Sequence, residues 1–202
     1  MSLLSMDKTK GLIAPYFKGK LSPNVYAGRL KGHLEYIIIH YTVGVSFKGV
    51  VDFFMTPEKT SAHFVVDRDG AMEQIVSLND AAWHAGKSSW GGHNGLNSYS
   101  AGIEIINAGY VRKTPDGSYH NELNQPVEAE DVLEATHKHE KAKRLWMHYP
   151  DAQIEAVLDL CRFIKQHYPF IKDVLGHDDI APGRKLDPGP LFPLADLRSK
   201  LF

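Results

Sequence analysis

The sequence predicts a single α/β domain, with a central mixed β-sheet flanked by helices, and three stretches carry that prediction. "LEYIIIHYT", residues 34–42, is a nearly continuous β-branched and aromatic run, the pattern of a central strand buried on both faces. "DAQIEAVLDLCRFIKQHY" sets Ile154, Val157, Leu158, Cys161, Ile164 and Tyr168 at helical spacing. "AHFVVDRDGAMEQIVS" is two strand-like runs around Arg68-Asp69-Gly70, a hairpin signal because glycine accepts the positive φ of a tight turn. Strands mixed with helices, and at least one antiparallel hairpin, make the sheet mixed. At 202 residues, 43% of them apolar, the chain suits one large domain with a substantial core.

Taken in order, residues 1–33 are irregular and rich in Gly, Pro and Lys, a lead-in expected to drape over a domain spanning 34–202. The buried strand of 34–42 comes next. "SFKGVVDFFMTP" puts Phe47, Val50, Val51 and Phe54 on one helical face, and Pro57 ends that helix. The hairpin follows, then "AGIEIIN", residues 101–107, as another strand. Residues 108–149 form an insertion that starts as a polar, turn-rich loop and becomes a charged stretch of helical character. Connections of that length often line or cover a site, and the alternative is a solvated insertion. After the long helix, "DVLGH" is a short strand ending at His177, and "PLADLRSKLF" a last helix that buries Leu194, Leu197 and Leu201.

With 23 basic and 24 acidic side chains the formal charge is −1, so electrostatics offers no reason to expect nucleic acid or an acidic membrane as partner. No stretch approaches the ~20 apolar residues of a membrane span. "MSLLSMDKTKGLIAPYF" has no basic start followed by a long apolar run, which makes the cytoplasm the default expectation; a leader trimmed ahead of Met6 would change it. The single cysteine, Cys161, excludes an internal disulfide and reads as a core thiol. Eleven histidines are the compositional oddity, and they direct attention to metal sites and acid–base chemistry.

Three groups sit at element ends, where side chains converge while the backbone stays rigid. His40 ends "YIIIH", His177 ends "DVLGH", and Asp187 lies ten residues further, before Pro188. Two imidazoles and a carboxylate suit zinc and leave a fourth position for water, as catalytic sites require. Against this, eleven histidines allow many triples, and any one is more often structural. Glu104 lies mid-strand, opposite in facing to Ile103 and Ile105. A carboxylate there faces water, a cation or a cleft. Lys185 is either part of the same centre or a solvated loop charge.

These residues match a family pattern. "IIIHYT", "SAHFVVDRDGAMEQIV", "AAWHAGKSSW", "NSYSAGIEI", "YPDAQIEAV" and "GHDDIAPGRKLDPGP" occur in family order from about residue 34 to the C-terminus. The chain resembles the zinc-dependent N-acetylmuramoyl-L-alanine amidases, the group that includes phage lysozyme-type amidases and peptidoglycan recognition proteins. The resemblance implies Zn2+ held by His40, His177 and Asp187, Glu104 as general base and acid, and Lys185 as the stabiliser of transition-state charge. Phage-type members carry cysteine at the position of Asp187, so the resemblance is to the carboxylate-ligand branch. Ala62 stands where phage-type members have a catalytic tyrosine. "WHAG" resembles the family's groove lining, which marks Trp83 and His84 as substrate contacts, with Asn97 and Ser100 as weaker ones. Tyr41, not the side chain expected after the first ligand in muropeptide-recycling members, is a further contact to substrate. His63 is expected to be structural, and His137, His139 and His148 to be solvated.

Residue chemistry leads to the same activity. Zinc on two neutral imidazoles and a carboxylate lowers the pKa of its water to roughly 7. Glu104 is then placed to take that proton and return it to a departing amine, and Lys185 to meet negative charge on oxygen. This chemistry gives amide hydrolysis in general; the resemblance implies the substrate, the amide between N-acetylmuramic acid and L-alanine in peptidoglycan or muropeptides. Intact wall and soluble anhydro-muropeptide, and a recycling enzyme and a phage lysin delivered to the wall, all fit. A non-catalytic peptidoglycan-binding module on the same fold is the alternative, but such modules typically lose zinc ligands. A structural zinc would usually take four protein ligands, often cysteines.

Overall fold

The lead-in is less irregular than its Gly, Pro and Lys content predicts. In the computed structural model, which describes residues 4–28, 33–57 and 59–202, β1 (Ser5–Asp7) and β2 (Leu12–Ala14) pair antiparallel, and β3 (Val25–Tyr26) follows. Positions 1–3 and 29–32 of the lead-in lie outside the described residues. Burial orders the segment. Ile13 is fully buried, and the Gln74 amide accepts from its N–H at 2.7 Å while donating to the carbonyls of Gly11 and Val76. A buried amide bonded at both ends pins the lead-in to the rest of the chain.

The run at 34–42 forms β4 (Tyr36–Tyr41), with five of its six residues buried. α1 (Phe47–Met55) starts where Ser46 Oγ accepts from the Gly49 N–H, and it buries Val50, Val51 and Phe54. β5 (Phe64–Val66) and β6 (Met72–Gln74) are the hairpin, with Gly70 at φ 86° between them. β7 (Ala81–Ala82) pairs with β3, β8 (Ser89–Trp90) with β9 (His93–Asn94), and β10 (Ser100–Ile105) is the "AGIEIIN" strand. Five strands then fill the insertion: β11 (Tyr110–Lys113), β12 (Tyr119–His120), β13 (Pro126–Val127), β14 (Val132–Thr136) and β15 (Lys143–Met147). The chain closes with α2 (Asp151–His167), β16 (Asp173–Gly176), the short α3 (His177–Ile180) and α4 (Leu194–Leu201).

The main sheet has the order β16-β4-β10-β5-β6, parallel through its first four strands and antiparallel at β6, the expected mixed sheet. Pleating sorts the side chains. Ile37, Ile39, Ile103 and Ile105 meet Val157, Leu160, Cys161 and Ile164 of α2 and Leu197 and Leu201 of α4. Each such side chain contributes ~1.5–3 kcal/mol by leaving water. Tyr36 and Ile38 point to the opposite face, and Val65 on that face packs against α1. His40 and Glu104 share that second face by alternation. Among the described residues no helix is long and apolar enough to cross a membrane.

The insertion departs from its sequence reading. No α-helix forms in 108–149; the segment is an antiparallel sheet of order β13-β12-β11-β15-β14 around Ala108, Val111, Val127 and Met147. Nor are its histidines all solvated: His137 is buried against Asp178. His139 donates to the Asp178 carbonyl, and His148 pairs with Asp131 at 2.8 Å. Charged residues obscured the strands because β14 and half of β15 leave most side chains exposed or half-exposed, so no buried stripe of either period appears.

Candidate metal centre and active site

Register builds the centre. Gly176 pairs with Ile39 and Glu104 with His40, so His177, His40 and Glu104 come level across β16, β4 and β10. They stand at the carboxyl ends of parallel strands, where open α/β sheets place ligands. Asp187 reaches the same point from the Gly- and Pro-rich loop after α3, and its carbonyl accepts from the Asp178 N–H at 2.9 Å.

The three predicted ligands converge. His40 Nδ1, His177 Nδ1 and Asp187 Oδ2 lie 2.9 Å apart in every pairing, and all three residues are buried. Hydrogen bonds assign the ring tautomers. Ser100 Oγ donates to the Leu96 carbonyl at 2.7 Å and accepts from His84 Nε2–H at 3.2 Å. His84 Nδ1 is then an acceptor, and it takes the His40 Nε2–H at 3.0 Å. His177 donates through Nε2–H to the Ala85 carbonyl at 3.2 Å, because Arg184 Nη2, 3.3 Å from the same ring nitrogen, directs its two N–H groups to the Ala85 and Lys87 carbonyls. With the Nε2 protons so placed, both Nδ1 atoms turn their lone pairs toward a carboxylate oxygen. Three acceptors packed together need a cation between them, and a set of two nitrogens and one oxygen fits zinc. Cys161 supplies no fourth ligand: it is buried in α2, where burial pushes its thiol up.

The charge state of His40 agrees with that assignment. Burial, and next the neighbouring His177 ring, lower His40 from 6.5 to about 4. The His40 shift carries a stability prediction. Between about 4 and 6.5 the unfolded chain binds a proton that the folded chain does not, so stability is present above 6.5 and is lost as pH falls toward 4. Zinc-stripped protein is expected to unfold in urea with about 2 kcal/mol less stability at pH 5 than at pH 7.5. An equal pH dependence in His40→Asn would contradict the assignment.

A cavity of about 770 Å³ opens over the triangle, the size of a small-ligand site. Glu104 and Lys185 line it with Tyr41 and His84. Burial first, then the Asp187 charge, raise the Glu104 carboxyl well above its ordinary value, with Lys185 opposing. Glu104 Oε2 is buried with no hydrogen-bond partner among the described residues. Tyr41 packs its ring over Gly109, where a Cβ would lie 2.4 Å from ring carbons, and burial raises its phenol.

The other groove candidates divide. His84 is buried, lines the cavity and holds His40. Its ring lies against Gly102, where a Cβ would come within 2.5 Å, so only glycine admits it. Trp83 is not among the cavity-lining residues; its ring packs 5.5 Å from Tyr26. Asn97 Oδ1 accepts from the N–H groups of His84 and Ala85 and so shapes their loop. His63 is buried, with Nδ1 accepting from Gly102 N–H and Nε2–H donating to the Asp80 carbonyl. Ala62 is buried in the core cluster that packs against α1 and is not among the cavity-lining residues. Sequence reasoning passed over Phe53 and Val50 of α1, Arg184, and Glu122 and Leu123 of the insertion, all of which line the cavity. Arg184 was signalled by its place beside Lys185; nothing local marks Leu123.

The fold and the donor set define an α/β protein with a candidate metal centre at the carboxyl ends of its parallel strands. Over residues 30–190 the sequence matches the N-acetylmuramoyl-L-alanine amidase family, and the chain belongs to that family. It is 30% identical over 184 residues to the 1,6-anhydro-N-acetylmuramyl-L-alanine amidase AmpD of Haemophilus influenzae, covering 90% of this chain and 68% of that protein. The E. coli AmpD is 33% identical, with 69% of this chain and 57% of that protein covered. A solved structure of the E. coli amidase AmiD, in complex with anhydro-N-acetylmuramic acid-L-Ala-D-gamma-Glu-L-Lys, superposes with a TM-score of 0.61 at 31% identity, covering 83% of this chain and 58% of that one. The chain thus spans from about half to two thirds of the length of these relatives.

Proposed function

We propose that the protein hydrolyses the amide between the lactyl group of N-acetylmuramic acid and L-alanine in soluble anhydro-muropeptides, with zinc held by His40, His177 and Asp187. The observation that carries this reading is the triangle of three acceptor atoms at 2.9 Å, with Glu104, whose Oε2 has no hydrogen-bond partner among the described residues, in the same cavity. The substrate class is supported by the printed names of the AmpD relatives and by the anhydro-muropeptide bound in the AmiD structure.

Zinc, when bound, supplies a Lewis acid for the carbonyl and lowers the pKa of the attacking water. The rest is done by this chain. Glu104 takes the proton of the attacking water, and its raised affinity for that proton lets it hand the proton on to the leaving amine of L-alanine. Lys185, whose charge acts on both Glu104 and His40, meets the negative charge that grows on the carbonyl oxygen. Phe53 and Leu123, 48% and 60% exposed, give the cavity an apolar rim for the sugar and peptide faces. The experiment is product analysis by mass spectrometry on a small anhydro-muropeptide beside whole sacculi. Release of a free peptide beginning with L-alanine, faster from the small substrate, is expected. Cleavage at any other bond would overturn the proposal.

A further inference from the structure

His137-Lys138-His139, in the turn between β14 and β15, meets Asp178-Asp179 at the start of the loop that carries Asp187. His137 is 1% exposed and Asp178 is 2% exposed. Asp178 Oδ2 accepts from His137 Nε2–H at 2.9 Å, while His137 Nδ1 accepts from the His139 N–H at 3.2 Å. A carboxylate at one nitrogen and an N–H at the other leave a single neutral tautomer that satisfies both. Lys138 Nζ lies 2.9 Å from Asp178 Oδ1 and 2.6 Å from Asp179 Oδ1, and His139 Nε2–H donates to the Asp178 carbonyl at 3.2 Å. Three consecutive donors grip two consecutive acids.

That grip is one peptide bond from His177 and, through the Asp178 N–H, one hydrogen bond from the Asp187 carbonyl. The far side of Asp187 is held from the same direction. Tyr149 Oη–H donates to the Pro188 carbonyl at 2.7 Å, and the Trp146 ring stacks on His137 and closes on Gly189, where a Cβ would sit 3.2 Å from it. Gly176 has to be glycine for the grip to form, since a Cβ there would lie 2.2 Å from Asp178 Oδ1. A buried ion pair contributes little net stability, so position is the better account of this one.

We propose that the second sheet is a brace for the metal loop, with His137 a positioning residue that acts through Asp178 to keep His177 and Asp187 at the separation a cation needs. The inference rests on the metal-site reading above. It is tested in the full chain with His137→Ala, His137→Gln and Lys138→Ala, read by zinc affinity against a chelator and by hydrogen exchange of the Asp178 amide. His137→Ala is expected to weaken zinc about tenfold or more, the scale of outer partners of metal ligands, and to speed that exchange. It should also lower kcat with KM unchanged. His137→Gln, which keeps an Nε2–H donor, is expected to stay close to the original protein. Lys138, 42% exposed, can be cut back without opening a cavity, so Lys138→Ala decides through the same exchange rate if His137→Ala does not fold. A folded variant with unchanged zinc affinity and unchanged exchange at Asp178 overturns the brace. Should the original protein take up no zinc, the functional reading falls, and the exchange rate alone judges the brace.

Discussion

Replacing Glu104 with glutamine is expected to cut kcat by about 10²–10⁴-fold while the protein keeps its zinc, since that is the usual contribution of a positioned acid–base group. Glutamine preserves size and hydrogen-bonding reach but cannot accept the proton of the attacking water. The case for this residue over others is geometric first. Register sets Glu104 level with His40 on the neighbouring strand, and its Oε2 is buried with no partner among the described residues. Burial and the Asp187 charge then raise its affinity for a proton. The sign is testable in the same assay: the acid limb of the kcat/KM profile should lie above the range of an ordinary glutamate, because the carboxylate must be free to act. Zinc content and turnover, measured on one preparation, check the prediction. Glu104→Gln with full turnover would remove the base from the account.

Asp187→Ala is expected to have a larger effect on the metal. The outer partners of ligands typically cost 10–100-fold in affinity when lost, and a direct ligand should cost more than about 100-fold. The physical reason is charge. Asp187 is the one anion among the three converging groups, so removing it leaves two neutral imidazoles to hold a divalent ion in a buried site. Chelator competition on the purified variant reads the affinity. Binding within tenfold of the original would mean that the metal sits elsewhere.

How much of this was legible from residues alone depends on how local each signal is. The β-branched run of β4, the amphipathic spacing of α1 and α2, and the Gly70 hairpin are set by neighbours in sequence, and each formed where its pattern placed it. His40, His177 and Asp187 each end or follow a rigid element, which left many histidine triples open; it was the family resemblance that singled these three out. The second sheet was not legible. β14 reads as five residues of mixed polarity with none buried, and only pairing with Lys143–Met147 makes it a strand. His137 was misplaced for a related reason. Its partner Asp178 lies 41 residues away, and a histidine pattern in sequence does not tell a solvated side chain from a buried hydrogen-bond donor.

The most direct test is anomalous scattering at the zinc edge from crystals of the original protein and of Asp187→Ala. A single peak bonded to His40 Nδ1, His177 Nδ1 and Asp187 Oδ2 at about 2.0–2.2 Å, absent in the variant, is the predicted result. A peak bound through the Nε2 atoms, or away from these three groups, would contradict the tautomer assignment on which the account stands.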